Sequence, residues 1–171
     1  NSGLGVYDIS DPANVTLLGS YNTAGYARDV AVSGNTAVVA DSDNGLVALD
    51  VTDPAAITLQ DSEKNTDDVG AAQPLPHLAL EVKIEGNFAY VVEWANYYYD
   101  NTAGLVIYDI SDPANLQKVA NLENPLVNDG FAALEMKDGY VLASDFAGVI
   151  HAIDVRTPAS PVWLSYTILN G

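Results

Sequence analysis

The chain has 171 residues and no cysteine, and six Lys and Arg against 23 Asp and Glu leave a formal charge of −17. Such a surface repels nucleic acid and anionic membranes, and without cysteine there is no disulfide framework, thiolate metal site or cysteine nucleophile. No uninterrupted apolar stretch approaches the length needed to cross a bilayer, so membrane insertion by this segment is not expected.

One phrase recurs four times: GLGVYDISDPAN at 3–14, GLVALDVTDPAA at 45–56, GLVIYDISDPAN at 104–115 and a divergent GVIHAIDVRTPAS at 148–160. The aspartates that end the apolar runs, Asp8, Asp50, Asp109 and Asp154, are 42, 59 and 45 residues apart, so the third unit carries an insertion of about 15. These periods suit four short strands per unit, the blade of an all-β propeller. Residues 1–22 hold only the third and fourth strands of a first blade, Leu4–Ile9 and Thr16–Tyr21.

The second blade (26–62) reads as Ala27–Ser33, a Gly34-Asn35 turn, Thr36–Asp41, Leu46–Val51 and Ile57–Asp61. The third (77–122) has Leu78–Glu85, Phe88–Glu93, Leu105–Ile110 and Gln117–Leu122, and the fourth (131–169) has Phe131–Lys137, Tyr140–Asp145, Val149–Val155 and Val162–Ile168. Runs such as LVALDV and LVIYDI are apolar at nearly every position, as in strands buried on both faces. About three and a half blades are therefore expected. Because the first two strands of the first blade are missing, the chain reads as part of a larger propeller, for example a seven-bladed one, completed by the same polypeptide or by a partner.

The YDISDPAN phrase, preceded by RDVAVSGNTAVVAD and by VKIEGNFAYVVE, resembles the LVIVD repeat family of bacterial and archaeal surface proteins. The resemblance implies a β-propeller with a scaffold and binding role outside the cell, at its surface or in the periplasm, and brings no catalytic motif. The fourth repeat departs from the pattern. Thr157 replaces the turn aspartate, His151 stands at an aliphatic position, and Gly148 to Asp154 is one residue longer, which predicts a β-bulge in that strand.

Strands alternate in direction, so the connections between blades and those between second and third strands emerge on one face. Both insertions, Ser62–Pro76 and Trp94–Ala103, fall there. They bring Trp94, Tyr97, Tyr98 and Tyr99 together with Asp67, Asp68, Glu93, Asp100 and His77 as a candidate binding rim for a protein or a glycan. The plainer reading is that the tyrosines cover a blade edge. Asp41, Glu93 and Asp145 end successive second strands, and recurrence argues for a structural role, accepting backbone N–H groups from the following loop. Asp11, Asp53 and Asp112 read as turn-makers.

The only metal reading is Ca²⁺ at Asp41 and Asp43, in a DSDNG loop that lacks the alternating spacing and distal Glu of a complete calcium loop. No other cofactor is expected. The two histidines are too few and too distant for a metal cluster, His151 reads as a hydrogen-bonded core residue, and no G-x-S-x-G elbow is present. Arg28 is expected to pair with a carboxylate. The leading expectation is a noncatalytic surface scaffold. A glycan-active enzyme would need paired carboxylates such as Glu93 and Asp100 in one cleft, and a subunit of an extracellular assembly would dock through its open blade edges.

Overall fold

The computed structural model describes residues 3–64, 77–94, 103–126 and 130–168. The strands are β1 (Leu4–Asp8), β2 (Thr16–Tyr21), β3 (Asp29–Ser33), β4 (Thr36–Ala40), β5 (Leu46–Asp50), β6 (Thr58–Glu63), β7 (Leu78–Glu85), β8 (Phe88–Trp94), β9 (Gly104–Asp109), β10 (Gln117–Glu123), β11 (Ala133–Lys137), β12 (Tyr140–Ser144), β13 (Val149–Asp154) and β14 (Val162–Ile168). There is no helix among the described residues. The strands form one two-stranded antiparallel sheet, β1-β2, and three four-stranded sheets in simple order, β3 to β6, β7 to β10 and β11 to β14.

These sheets are the blades of a β-propeller. The first strands β3, β7 and β11 touch one another from sheet to sheet, so successive blades converge along their first strands. Within each complete blade the first hairpin closes in two residues, Gly34-Asn35, Gly86-Asn87 and Asp138-Gly139. Asp138 and Gly139 both have positive φ, 53° and 76°, the combination a tight primed turn requires.

The inner strands carry the core. In β4, β5, β8 and β9 nearly every residue is buried on either face, which explains their unbroken apolar sequence. One cluster joins Val38, Ala40, Leu46 and Ala48 of the second blade to Val82, Val91, Val106 and Tyr108 of the third. Another joins Tyr90, Val92, Leu105 and Ile107 to Phe131, Leu134, Val141 and Ile153 of the fourth. Each fully buried Val or Leu contributes roughly 1.5–3 kcal/mol. In β12 and β13, at the end of the described chain, burial alternates instead, because only one face meets a neighbour.

The turn between third and fourth strands is built the same way each time. Asp11, Asp53 and Asp112 accept the N–H of Ala13, Ala55 and Ala114 at 3.0, 3.0 and 3.2 Å. Asp8, Asp50, Asp109 and Asp154 each accept the N–H two residues on, at 2.8–3.0 Å. Where Thr157 replaces aspartate, the Ser160 N–H to Thr157 carbonyl bond at 2.8 Å keeps the turn.

The β-bulge predicted in the third strand of the fourth blade is not there. The β12–β13 ladder is continuous, and the loop has the same length as in the second blade: Asp145 N–H reaches the Val149 carbonyl as Asp41 N–H reaches that of Gly45. The glycine has moved one place earlier within the turn. Each fourth strand carries a bulge at the same place, at Leu18, Gln60, Val119 and Leu164, and β7 carries a further one at Leu80.

At Gly19 the first blade comes close against the second, and an added Cβ would overlap the Pro54 carbonyl oxygen. Gly19→Ala is expected to lower the free energy of unfolding by about 2 kcal/mol in a urea titration, whereas Gly5→Ala, which meets only the exposed Tyr7 ring, should change it by less than about 0.5 kcal/mol.

Candidate functional site

Each second strand delivers a carboxylate to the same end of its blade, and all three, Asp41, Glu93 and Asp145, are buried. A buried carboxylate must be met by donors or neutralised. At Asp41 the donors are Thr23 Oγ1 (2.5 Å), Gly25 N–H (2.9 Å) and Asn44 Nδ2 (3.0 Å). Glu93 Oε2 takes His77 Nδ1 at 3.1 Å. Asp145 takes His151 Nε2, Ala147 N–H and Val149 N–H at 2.9 Å each, with Asn124 Nδ2 at 3.4 Å.

One arrangement recurs. Thr23, His77 and Asn124 all precede the first strand of the blade whose acid they engage, so each acid clasps the segment that enters its own blade. Asp145 takes backbone N–H groups from the loop that follows it, as read from the sequence, while Asp41 and Glu93 hold the segment that precedes the first strand of their blade. Burial alone would push the Asp145 carboxyl up, but the hydrogen bonds from His151, Val149, Asn124 and Ala147 outweigh it and hold the group below the ordinary carboxylate range.

His151 is buried, as expected, and lies among the rings of Phe131 (5.2 Å), Trp163 (5.2 Å) and Tyr166 (6.3 Å). Its Nδ1 meets no hydrogen-bond partner among the described residues.

A second set of carboxylates ties one blade to the next. Asp29 Oδ2 accepts the Val82 N–H at 3.0 Å and Glu81 Oε2 the Leu134 N–H at 2.9 Å, each across 53 residues. Asp61 Oδ2 accepts the Leu116 N–H at 2.8 Å. Lys83 Nζ lies 2.6 Å from Glu81 and 3.8 Å from Asp29, and the Glu81 hydrogen bond raises its pKa. These latches were missed in the sequence. Their only signal is an acid at matching places in β3 and β7.

Of the rim residues, Tyr97, Tyr98, Tyr99, Asp100, Asp67 and Asp68 lie outside the described residues. Glu93 and His77, expected on an accessible rim, are buried against each other instead, because an acid at the end of an inner strand takes the nearest donor rather than reaching solvent. Trp94 is half-buried and meets Phe146 edge to face at 6.4 Å, with ring planes 68° apart. Phe146 and Leu126 are exposed on the same face, in the loop after β12 and the connection after β10. Sequence reasoning passed over both, since each stands alone in its loop.

Asp43 is exposed, and both Asp41 oxygens are held by N–H and O–H donors that a cation would have to displace. Arg28 is exposed and donates Nε–H to Ser42 Oγ at 2.9 Å; the carboxylate partner expected for it is not found among the described residues.

The family profile of the LVIVD repeat matches residues 1–23, 24–63 and 78–123. No curated protein matches. Among solved structures, the chain is similar to a protein from Lactobacillus plantarum, with a TM-score of 0.74 and 15% identity over 99% of this chain and 50% of that one. The computationally designed Ika8 protein aligns with a TM-score of 0.57 and 14% identity over 88% of this chain and 38% of its own, and the designed Ika4 protein with 0.55 and 14% over 82% and 72%. The chain thus spans half or less of the first two.

Removing a clasp leaves buried donors unmet, so Asp41→Ala is expected to cost about 3 kcal/mol in chemical denaturation. A carboxyl held below its ordinary pKa stabilises the fold above the unfolded-state value and loses that contribution as pH falls through the folded-state value. Asp145→Asn should therefore melt below the parent at neutral pH and converge with it only as the pH falls below the ordinary carboxylate range, in thermal melts followed across the acid range.

Proposed function

Because the chain belongs to the LVIVD repeat family, whose repeats build β-propellers, we propose that it is a noncatalytic scaffold outside the cell. It holds a protein partner on the face that carries Trp94, Leu126 and Phe146. The observation that carries this reading is the contrast on that face. Its recurring carboxylates are buried and occupied by hydrogen bonds, while Phe146 stands exposed against Trp94 and Leu126 is exposed in the connection after β10.

Aromatic side chains give large contact area at little entropic cost and dominate interface hot spots. The adjoining segment adds Tyr97, Tyr98 and Tyr99 in sequence. An exposed aliphatic side chain, Leu126, on the face that carries the two rings favours a protein over a sugar, which stacks on aromatic faces and takes its hydrogen bonds from polar groups. Surface-bound or secreted location agrees with the −17 charge, since acidic surfaces keep proteins soluble and resist nonspecific binding to polyanions.

Affinity capture from the cell-surface fraction of the source organism tests the reading when three baits are compared. Phe146→Ala and a Tyr97–Tyr99 triple alanine variant should each lose a partner at least tenfold, while Tyr140→Ala, an exposed aromatic outside the patch, should retain it. Equal capture by all baits would remove this face from consideration. Binding to purified glycans, lost in the same variants, would replace the protein partner with a carbohydrate one.

A further inference from the structure

The turn between third and fourth strands ends on Asn14 in the first blade, Ala56 in the second, Asn115 in the third and Ser160 in the fourth. Two residues further on stand Thr16, Thr58, Gln117 and Val162. Only the first copy combines asparagine with threonine, as Asn14-Val15-Thr16, and no other asparagine of the chain has Ser or Thr at the second place after it. Asn-x-Ser/Thr, with any residue but proline between, is the acceptor sequence for N-linked glycosylation.

A triplet of this kind also arises by chance, and a transferase reaches it only where the fold presents both polar side chains. Asn14, at the close of the turn, and Thr16, the first residue of β2, are both exposed. That exposure belongs to the turn and does not depend on which blades stand beside it. The third blade packs against the second on one face and the fourth on the other, and its matching Asn115 and Gln117 are exposed all the same, although Leu116 between them is buried. Ala56 and Thr58 of the second blade are exposed as well.

The Asn14 amide is free to leave its present contact without cost to the turn. Its Nδ2 donates to Asp11 Oδ2 at 2.7 Å. In the second blade, where Ala56 has no such group, Asp53 still accepts the Ala55 N–H on its carboxylate at 3.0 Å and the Ala56 N–H on its carbonyl at 2.9 Å. Asp11 makes the same two bonds, to Ala13 and Asn14, at 3.0 and 2.9 Å. The turn therefore stands on its backbone donors and leaves the asparagine side chain for other use.

We propose that Asn14 is a site of N-linked glycosylation, with Thr16 supplying the hydroxyl that the acceptor sequence requires. The co-reactant is an oligosaccharide carried on a lipid pyrophosphate, and the catalyst is a separate transferase. Asn14 Nδ2 forms a bond to the anomeric carbon of the sugar, the bond from that carbon to the pyrophosphate oxygen breaks, the pyrophosphate leaves with the electron pair, and the amide nitrogen gives up one proton. Within a blade the fourth strand starts at the end remote from the close of the second strand, so a glycan on Asn14 leaves the face of Trp94 and Leu126 uncovered. The proposal rests on the location outside the cell proposed above, because exported chains are the ones such transferases meet.

Mass spectrometry of the protein recovered from the source organism tests it. The tryptic peptide that ends at Arg28 should carry sugar increments, and fragmentation should place them on Asn14. Made in the same organism, Asn14→Gln and Thr16→Ala should be bare, Thr16→Ser should keep the glycan, and all three should fold with the far-ultraviolet circular dichroism of the parent. A bare Asn14 on protein recovered from outside the cell would overturn the proposal and leave the location standing. Sugar that persists in Asn14→Gln on the Thr16 hydroxyl would overturn it too. Recovery from the cell interior alone would overturn the location and the glycan together.

Discussion

The fold rests on one constraint: a four-stranded sheet with apolar side chains on both faces needs a neighbour on each side. β4, β5, β8 and β9 meet that condition and are buried almost throughout. β12 and β13 have a neighbour on one side only, and their burial alternates. At the other end of the described array, Val30 and Val32 of β3 are exposed, whereas the matching Val82 of β7 is buried. Stability in such an array is a sum over blades and the interfaces between them.

Hydrophobic contact sets the blades side by side, but carboxylates fix how they meet. Asp29, Glu81 and Asp61 each accept a backbone N–H from the following blade, while Asp41, Glu93 and Asp145 clasp the segment that enters their own. Charge-assisted hydrogen bonds of this kind are directional and stronger than neutral ones, so they select one register among several that apolar packing alone would tolerate. Part of the acidity of the chain is thus structural. The same bonds occupy the groups that would otherwise look like a row of catalytic or metal-binding acids on one face.

How legible each feature was depended on sequence distance. The turn aspartates Asp11, Asp53 and Asp112 could be read directly, because donor and acceptor lie two residues apart and the pattern repeats. The fold was legible for the same reason, since strand, turn and period recur. The Asp29 and Glu81 latches span 53 residues, and nothing local distinguishes these acids from solvent-exposed ones. Glu93 and His77 were legible as neighbours in space but not as a buried pair. The bulge expected near His151 came from counting residues from glycine to aspartate, a count that misleads when the glycine shifts within a turn of constant length.

By itself the sequence determined the repeat, the four-stranded unit and the turns, because each follows from short-range pattern and the hydrogen-bonding habits of Asp, Gly and Pro. Tertiary structure alone decided which acids are buried and clasped, which valines are left uncovered, and which aromatic residues share the exposed face. Burial is a property of what lies across the gap between blades. Residues some 50 positions apart meet there only after the sheets have stacked.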